Sequence, residues 1–444
     1  MCGWQNRYDI YGDGGGNMKR SIFCIAMIMA VATAGCGKAA SLPEDGMKQV
    51  ATPVVDTRPV TLTAAIDGIS VDERLKELIV QQLQQKHPNI TLQIYPSAKG
   101  TTLNELIVAG QTPDLIFTFN GNLLSYRDRD LLYDMTPLLK THNVDMSRYD
   151  ANIIGDIRIA SAKDEMYALP FSLNFHALYY NKDLFDKFGV PYPQDGMNWD
   201  RTLDLTKRVT RTEGGVQYRG LDTGNGVVWI AQPLSAAAVD PIKEKASVVT
   251  EEWKTVFNLV KSIYSIPGND RKGDAFLKDK TLAMQLQLNM LAALEKPTAE
   301  GLNWDIAQYP SYPERPNTYG NASVQAIAIT KSSAYKDQAM QVIRMIASDE
   351  FQMISSRKGW MPAVNNPDIQ KSFGADVPYL AGKKLSSIFK SKPVKYPVSS
   401  QFRTKAESIL QANFDLFLNN ALDVNTSLAK AEEEINKMIA ESGK

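Results

Sequence analysis

Beyond position 36 this sequence has no cysteine: its three, Cys2, Cys24 and Cys36, all precede the folded body. That excludes a disulfide framework and a thiolate metal site from the body. Histidine is nearly as scarce. His87, His142 and His176 are far apart in the chain, so no metal site and no cofactor are expected. Charge of either sign is not in excess, with 49 basic and 49 acidic residues among 444, which leaves no electrostatic footprint for nucleic acid. After the amino-terminal region no stretch reaches the eighteen or so apolar residues of a spanning helix. Also missing are a Gly-x-Ser-x-Gly elbow, a His-Glu-x-x-His pair and a Walker phosphate loop, so the expectation is a protein that is not an enzyme. A glycosidase-type carboxylate pair stays open, because its separation is invisible in sequence.

What is present begins at Met18. Two basic residues, an apolar run from Ile22 to about Ala32 and small residues up to Cys36 follow the plan of a secretory signal. The segment closes on Thr33-Ala34-Gly35-Cys36, which resembles a bacterial lipobox with threonine in the usual leucine position. That resemblance implies cleavage before Cys36 and lipidation of Cys36, an anchor made durable by several acyl chains. Residues 1–17 end in a Gly-Asp-rich run that reads as a translated ribosome-binding site, so Met18 is the expected start. Residues 36–59 are polar and proline-bearing without periodicity, as a flexible tether would be.

The composition of the whole, 44% hydrophobic and 22% charged, is that of a globular protein, and its length implies two domains. Val60 to Ile66 reads as a strand, and Ser70-Val71-Asp72-Glu73 as a capping box before the helical spacing of Leu75, Leu78, Ile79 and Leu83. Ile90, Leu92 and Ile94 alternate as a strand, a helix covers about 102–109, and Leu115 to Phe119 is an apolar strand. This β-α-β-α-β order predicts an α/β fold with a mainly parallel sheet. Helices are expected around Trp253 to Ile263, 336–348, 402–419 and 425–440, with short strands at 281–284, 304–307 and 326–329.

One stretch carries a more specific pattern: Tyr167-Ala168-Leu169-Pro170, Tyr179-Tyr180-Asn181-Lys182, Gly189-Val190-Pro191 and Asn198-Trp199-Asp200. With Pro113-Asp114-Leu115-Ile116, Phe276 to Met284 (Asp279 replacing a usual glycine) and Ala326 to Ile329 before Lys331-Ser332, it resembles the extracellular solute-binding proteins of bacterial ABC importers, the sugar-capturing group. The resemblance spans about 60–440. It implies a two-lobed, periplasmic-binding-protein-like fold, with a hinge and a ligand cleft between the lobes. Lobe 1 is expected at 60–168 plus about 322–380, and lobe 2 at 169–321 plus about 381–444.

It also implies partners: a small-molecule solute, here a carbohydrate, and the transmembrane subunits of an ABC permease. The protein is expected as a monomer on the outer face of the cell membrane. A sensor feeding a membrane kinase or chemoreceptor would present the same sequence, and a secreted glycoside-acting enzyme is the remaining alternative. A pyranose presents apolar faces and a hydroxyl rim, so its pocket needs rings and directional polar groups. Such pockets lie beyond the carboxyl ends of strands, which selects Asp67 and Asn120. The segment after Pro170 adds Ser172, Asn174 and Phe175. Trp229, in a glycine-bearing stretch, is the expected stacking ring; Tyr319 and Asn321 precede the Ala326 strand, and Trp360 lies in a Gly-Trp-Met-Pro loop.

Overall fold

The computed structural model describes residues 58–442 except 162, 225, 271–274, 322 and 399. The signal segment, Cys36 and nearly all of the tether therefore lie outside the described residues. The described residues belong to one compact unit.

The first strands form where alternation and helical spacing predict them. They are β1 (Val60–Ile66), β2 (Ile90–Tyr95) and β3 (Leu115–Phe119). Between β1 and β2 runs the helix Glu73–Lys86, its first turn capped by the Asp72 carboxylate, which accepts the Leu75 N–H at 2.9 Å. The Thr102 capping box opens Leu103–Val108 before β3. The Pro113-Asp114 step is a clip. The Asp114 carboxylate accepts the Thr63 N–H (2.9 Å) and the Ser333 hydroxyl (2.7 Å), tying β1, β3 and a later loop together.

β4 (Ala168–Leu173) follows, then β5 (His176–Asn181), β6 (Arg211–Glu213), β7 (Val216–Asp222), a β8–β9 hairpin (Val239–Asp240, Lys245–Ala246), β10 (Leu282–Leu288), β11 (Trp304–Gln308), β12 (Thr318–Asn321), β13 (Val324–Ile329) and β14 (Lys392–Val394). They sort into two five-stranded sheets, β2-β1-β3-β13-β4 and β11-β5-β10-β7-β6. Parallel pairing holds for β1 with β2 and β3, for β7 with β10 in the second sheet and for the β12–β14 pair, so the expected mainly parallel arrangement is only partly met. β13 runs antiparallel to β3 and β4, and β5 antiparallel to β10 and β11. The reason is connectivity: β4 leads out of the first sheet and β13 leads back into it, so the two cannot share one direction with β3.

Each sheet has its own apolar core, around Leu62, Ile116 and Ile343 for the first and around Tyr179, Trp253 and Phe257 for the second. By packing, the chain stays with the first sheet through Leu173. The stretch containing Phe373, Leu380 and Ile388 packs in the second core. Three short connections run side by side between the sheets. Leu173 N–H donates to Met361 C=O (3.1 Å), Asn174 N–H to Ser323 C=O (3.0 Å), and Ser172 Oγ to Met361 C=O (2.9 Å).

In the second lobe, helix Trp199–Val209 lies close on β7 because position 220 has no side chain. A Cβ there would stand 2.4 Å from the Thr206 carbonyl oxygen. Thr206 and Thr210 fold their hydroxyls back onto carbonyls one turn earlier, so the polar atoms in this contact are satisfied. Gly220→Ala is expected to cost about 1–3 kcal/mol by overpacking. Gly155→Ala, in a helix where a Cβ meets nothing within 4 Å, is expected to be neutral or stabilising by up to about 1 kcal/mol. Urea denaturation of the two variants checks the contrast, and equal effects would refute the close-contact reading of Gly220.

Candidate functional site

A cleft of about 1430 Å³ opens between the two lobes. The first lobe lines it with the loops after β1 and β3, the carboxyl ends where open α/β sheets place their ligands. The second lobe brings Trp229, Gln232 and Asn289. The connections bring Ser172, Asn174, Asn321 and Trp360, and the segment between β14 and helix Arg403–Leu418 brings Tyr396.

The loop after β3 is built around one ring. Phe119 is half-buried at the strand end, and a Cβ at Gly121 would come within 2.3 Å of its ring and 2.6 Å of Tyr396 Oη. On the other side Gly68, at φ 72°, leaves room for Phe119 and for the Asn122 amide, which a Cβ would meet at 2.3 Å. The two glycines are therefore the slot that lets Phe119 lie against the cleft. Asn122 Nδ2 donates to Thr118 Oγ1 (3.1 Å) and Tyr126 Oη (3.1 Å), and Tyr126 in turn donates to Asp67. Burial, with the bond to Asp67, raises the Tyr126 pKa, so the phenol remains a donor.

The residues selected from sequence divide accordingly. Ser172, Asn174, Trp229, Asn321 and Trp360 line the cleft together. Asp67 sits just behind it, engaged by Tyr126. Asn120 is 1% exposed, and its Oδ1 accepts the Val324 N–H (3.2 Å), pinning β13 to the end of β3. Phe175 is fully buried, edge-on to Phe373. Tyr319 is buried as well, stacked on His176 with ring centroids 5.1 Å apart. Sequence reasoning missed Phe119, Asn122, Gln232, Asn289 and Tyr396. Gly121, two residues after Phe119, was the one available signal for it.

Trp229 is half-buried and rests on His176 at 5.1 Å, with Tyr319 and Tyr309 completing the box around the imidazole. Gln232 Oε1 accepts the Asn321 N–H (3.1 Å) beside it, in space left by Gly320. Trp360 carries the Arg74 guanidinium 6.0 Å over its ring. Fixed charges in the cleft are mostly compensated. Arg403 pairs with Glu407 (2.7 Å) and reaches Tyr396 Oη (3.1 Å), while Asp128 pairs with Arg127 (2.6 Å). No cluster of metal-ligating side chains occurs among the described residues. Half-exposed rings among neutral amides and hydroxyls suit a hydroxylated solute better than an ion.

His176 is 3% exposed, and burial pushes its pKa from 6.5 down to about 3. A histidine held neutral in the fold supports stability fully above its unfolded pKa and loses that support as pH falls below 6.5. Relative to His176→Phe, the wild type should lose about 2 kcal/mol between pH 8 and pH 5. Urea denaturation at the two pH values measures this, and parallel changes in both proteins would contradict it.

The family model for bacterial extracellular solute-binding proteins matches residues 68–353. A curated relative, the sn-glycerol-3-phosphate-binding periplasmic protein UgpB of Rhizobium meliloti, is 24% identical over 388 residues, covering 79% of this chain and 87% of the relative. The multiple sugar-binding protein of Streptococcus mutans is 24% identical over 143 residues, 31% of each chain. Among solved structures, an ABC substrate-binding protein from Listeria monocytogenes in complex with cycloalternan superposes with a TM-score of 0.69 at 18% identity, covering 86% of this chain and 99% of the other. The sugar-binding protein MalE from Xanthomonas citri gives 0.68 at 16%, covering 86% and 98%. With its family pattern matched over most of its length and its fold shared with such structures, the chain belongs to the bacterial extracellular solute-binding proteins.

Proposed function

We propose that this protein is a lipid-anchored, extracytoplasmic, monomeric binding component of an ABC importer, which captures a sugar or oligosaccharide between its lobes and delivers it to the permease. The observation that carries this reading is the composition of the cleft. Rings from the first lobe (Phe119), the second lobe (Trp229), the connections (Trp360) and the segment after β14 (Tyr396) line the cleft with the amides of Asn122, Asn174, Gln232 and Asn289. Rings cover the C–H faces of a pyranose at low entropic cost, and amides address its hydroxyls in either sense, as donor or acceptor. The cleft's 1430 Å³ also exceeds the roughly 300–1,000 Å³ typical of single small-ligand pockets, which favours more than one sugar ring or an open state. Solved structures of the same fold hold cycloalternan and α-D-tagatose, which supports a carbohydrate solute here. The anchor rests on Cys36 and the signal plan before it.

A second reading is a phosphorylated polyol, favoured by the Arg403 guanidinium at the cleft wall beside Ser400 and Thr404, and by the relatives named for sn-glycerol 3-phosphate. The carbohydrate reading is preferred because Arg403 is already committed to Glu407 and Tyr396, and a phosphate would have to displace that pairing. Calorimetric titration with mono- and oligosaccharides and with glycerol 3-phosphate separates the two. A sugar is expected to bind, with Trp229→Ala weakening it roughly tenfold or more and Arg403→Gln affecting it less. Binding of glycerol 3-phosphate alone, lost in Arg403→Gln, would replace the first reading with the second.

A further inference from the structure

The chain segment leading from β14 into helix Arg403–Leu418 lines the cleft with Tyr396, yet it is held from the opposite lobe. Helix Ala151–Arg158 packs Ile153, Ile154 and Ile157 into the first core, and its Asp156 is 1% exposed. The Asp156 carboxylate accepts the Tyr396 backbone N–H at 3.0 Å, across 240 residues of sequence. Tyr396 is then fixed at its other end: its hydroxyl accepts from Arg403 at 3.1 Å and fills the space that Gly121 leaves open. Helix Arg403–Leu418 belongs to the second core through Leu410 and Phe414. One buried carboxylate of the first lobe therefore sets where a second-lobe segment stands at the ligand.

We propose that Asp156 is a positioning residue for Tyr396, an acceptor that locks Tyr396 against the first lobe and makes the geometry of the cleft depend on the protonation of one buried carboxyl. The inference rests on the cleft being the solute site, but not on which solute enters it. Burial pushes the Asp156 pKa up to about 6, opposed by the Tyr396 N–H and Lys395 and reinforced by Asp150. The other elements packed on its helix add little charge. β4 and β13 carry no ionisable side chain, and helix Asn120–Asp128 brings Tyr126, Arg127 and Asp128, the last two paired with each other.

The signs of the two effects differ. An acid whose folded pKa is raised supports global stability most fully below pH 4 and loses that support as pH rises through 6. Its bond to Tyr396 does the opposite, because an ionised acceptor makes a stronger hydrogen bond than a neutral one. A role confined to packing would not separate local from global behaviour in this way.

Amide hydrogen exchange of Tyr396 in the ligand-free protein tests the inference independently of any sugar. After correction for intrinsic exchange, the wild-type amide is expected to be about tenfold better protected at pH 7.5 than at pH 5. Asp156→Asn, which keeps an acceptor oxygen but no titration, should give a flat profile with the strands of both sheets protected as in the wild type. Asp156→Leu should lose the protection at both pH values. A wild-type profile that is flat, or one that Asp156→Asn reproduces, would overturn the proposal even if the leucine variant failed to fold.

Discussion

The structure depends on how its two sheets are joined. The crossings around Asn174, Ser323 and Met361 run next to one another, and the bonds from Leu173, Asn174 and Ser172 to Met361 and Ser323 make them a single strip. Each such bond is worth only about 0.5–1.5 kcal/mol. Together they hold the crossings to one another over a narrow stretch of backbone. Asn120, from the end of β3, adds its bond to Val324 at the same place. The floor of the cleft is this strip, and Ser172, Asn174 and Asn321 face the cleft because they are part of it.

From the strip the aromatic environment follows. His176 is the first residue of β5, immediately past the crossing, and it carries the ring of Trp229 on one side and that of Tyr319 on another. Of the aromatic-rich run 166–193, Tyr179, Tyr180 and Phe185 are fully buried, and Phe188 packs on Tyr218 at 5.2 Å. None of these rings lines the cleft. The concentration of aromatics is scaffold, and the site draws its rings from loops elsewhere that converge on the scaffold.

The sequence made the periodic parts legible. β1 to β3, the helices Glu251–Tyr264, Lys336–Ala347, Arg403–Leu418 and Val424–Ser442, and the strands at Leu282, Trp304 and Val324 all carry spacings that one element produces by itself. The crossings did not, since β4 reads as an apolar run that suits either sheet, and its pairing with β13 is decided some 150 residues later. Among site residues, Trp229 stood out because it lies in a glycine-bearing stretch off any apolar periodicity, and Asn174 because the resemblance places ligand contacts in the segment after Pro170, which also holds the fully buried Phe175. Phe119 looked like the end of an apolar strand. Its outward position depends on Gly68 and Gly121, on two different loops, leaving it a slot. Tyr396 lies in an aperiodic segment whose anchor, Asp156, comes from the other lobe.

The central claim is that a solute bridges both lobes and stabilises their approach, which requires the bound state to gain contacts that the free state lacks. Small-angle X-ray scattering of the anchor-free protein, with and without a saturating sugar identified by calorimetry, addresses it most directly. A smaller radius of gyration is expected in the presence of that sugar. An unchanged radius at saturation would mean that the solute is held by one lobe alone and would contradict it.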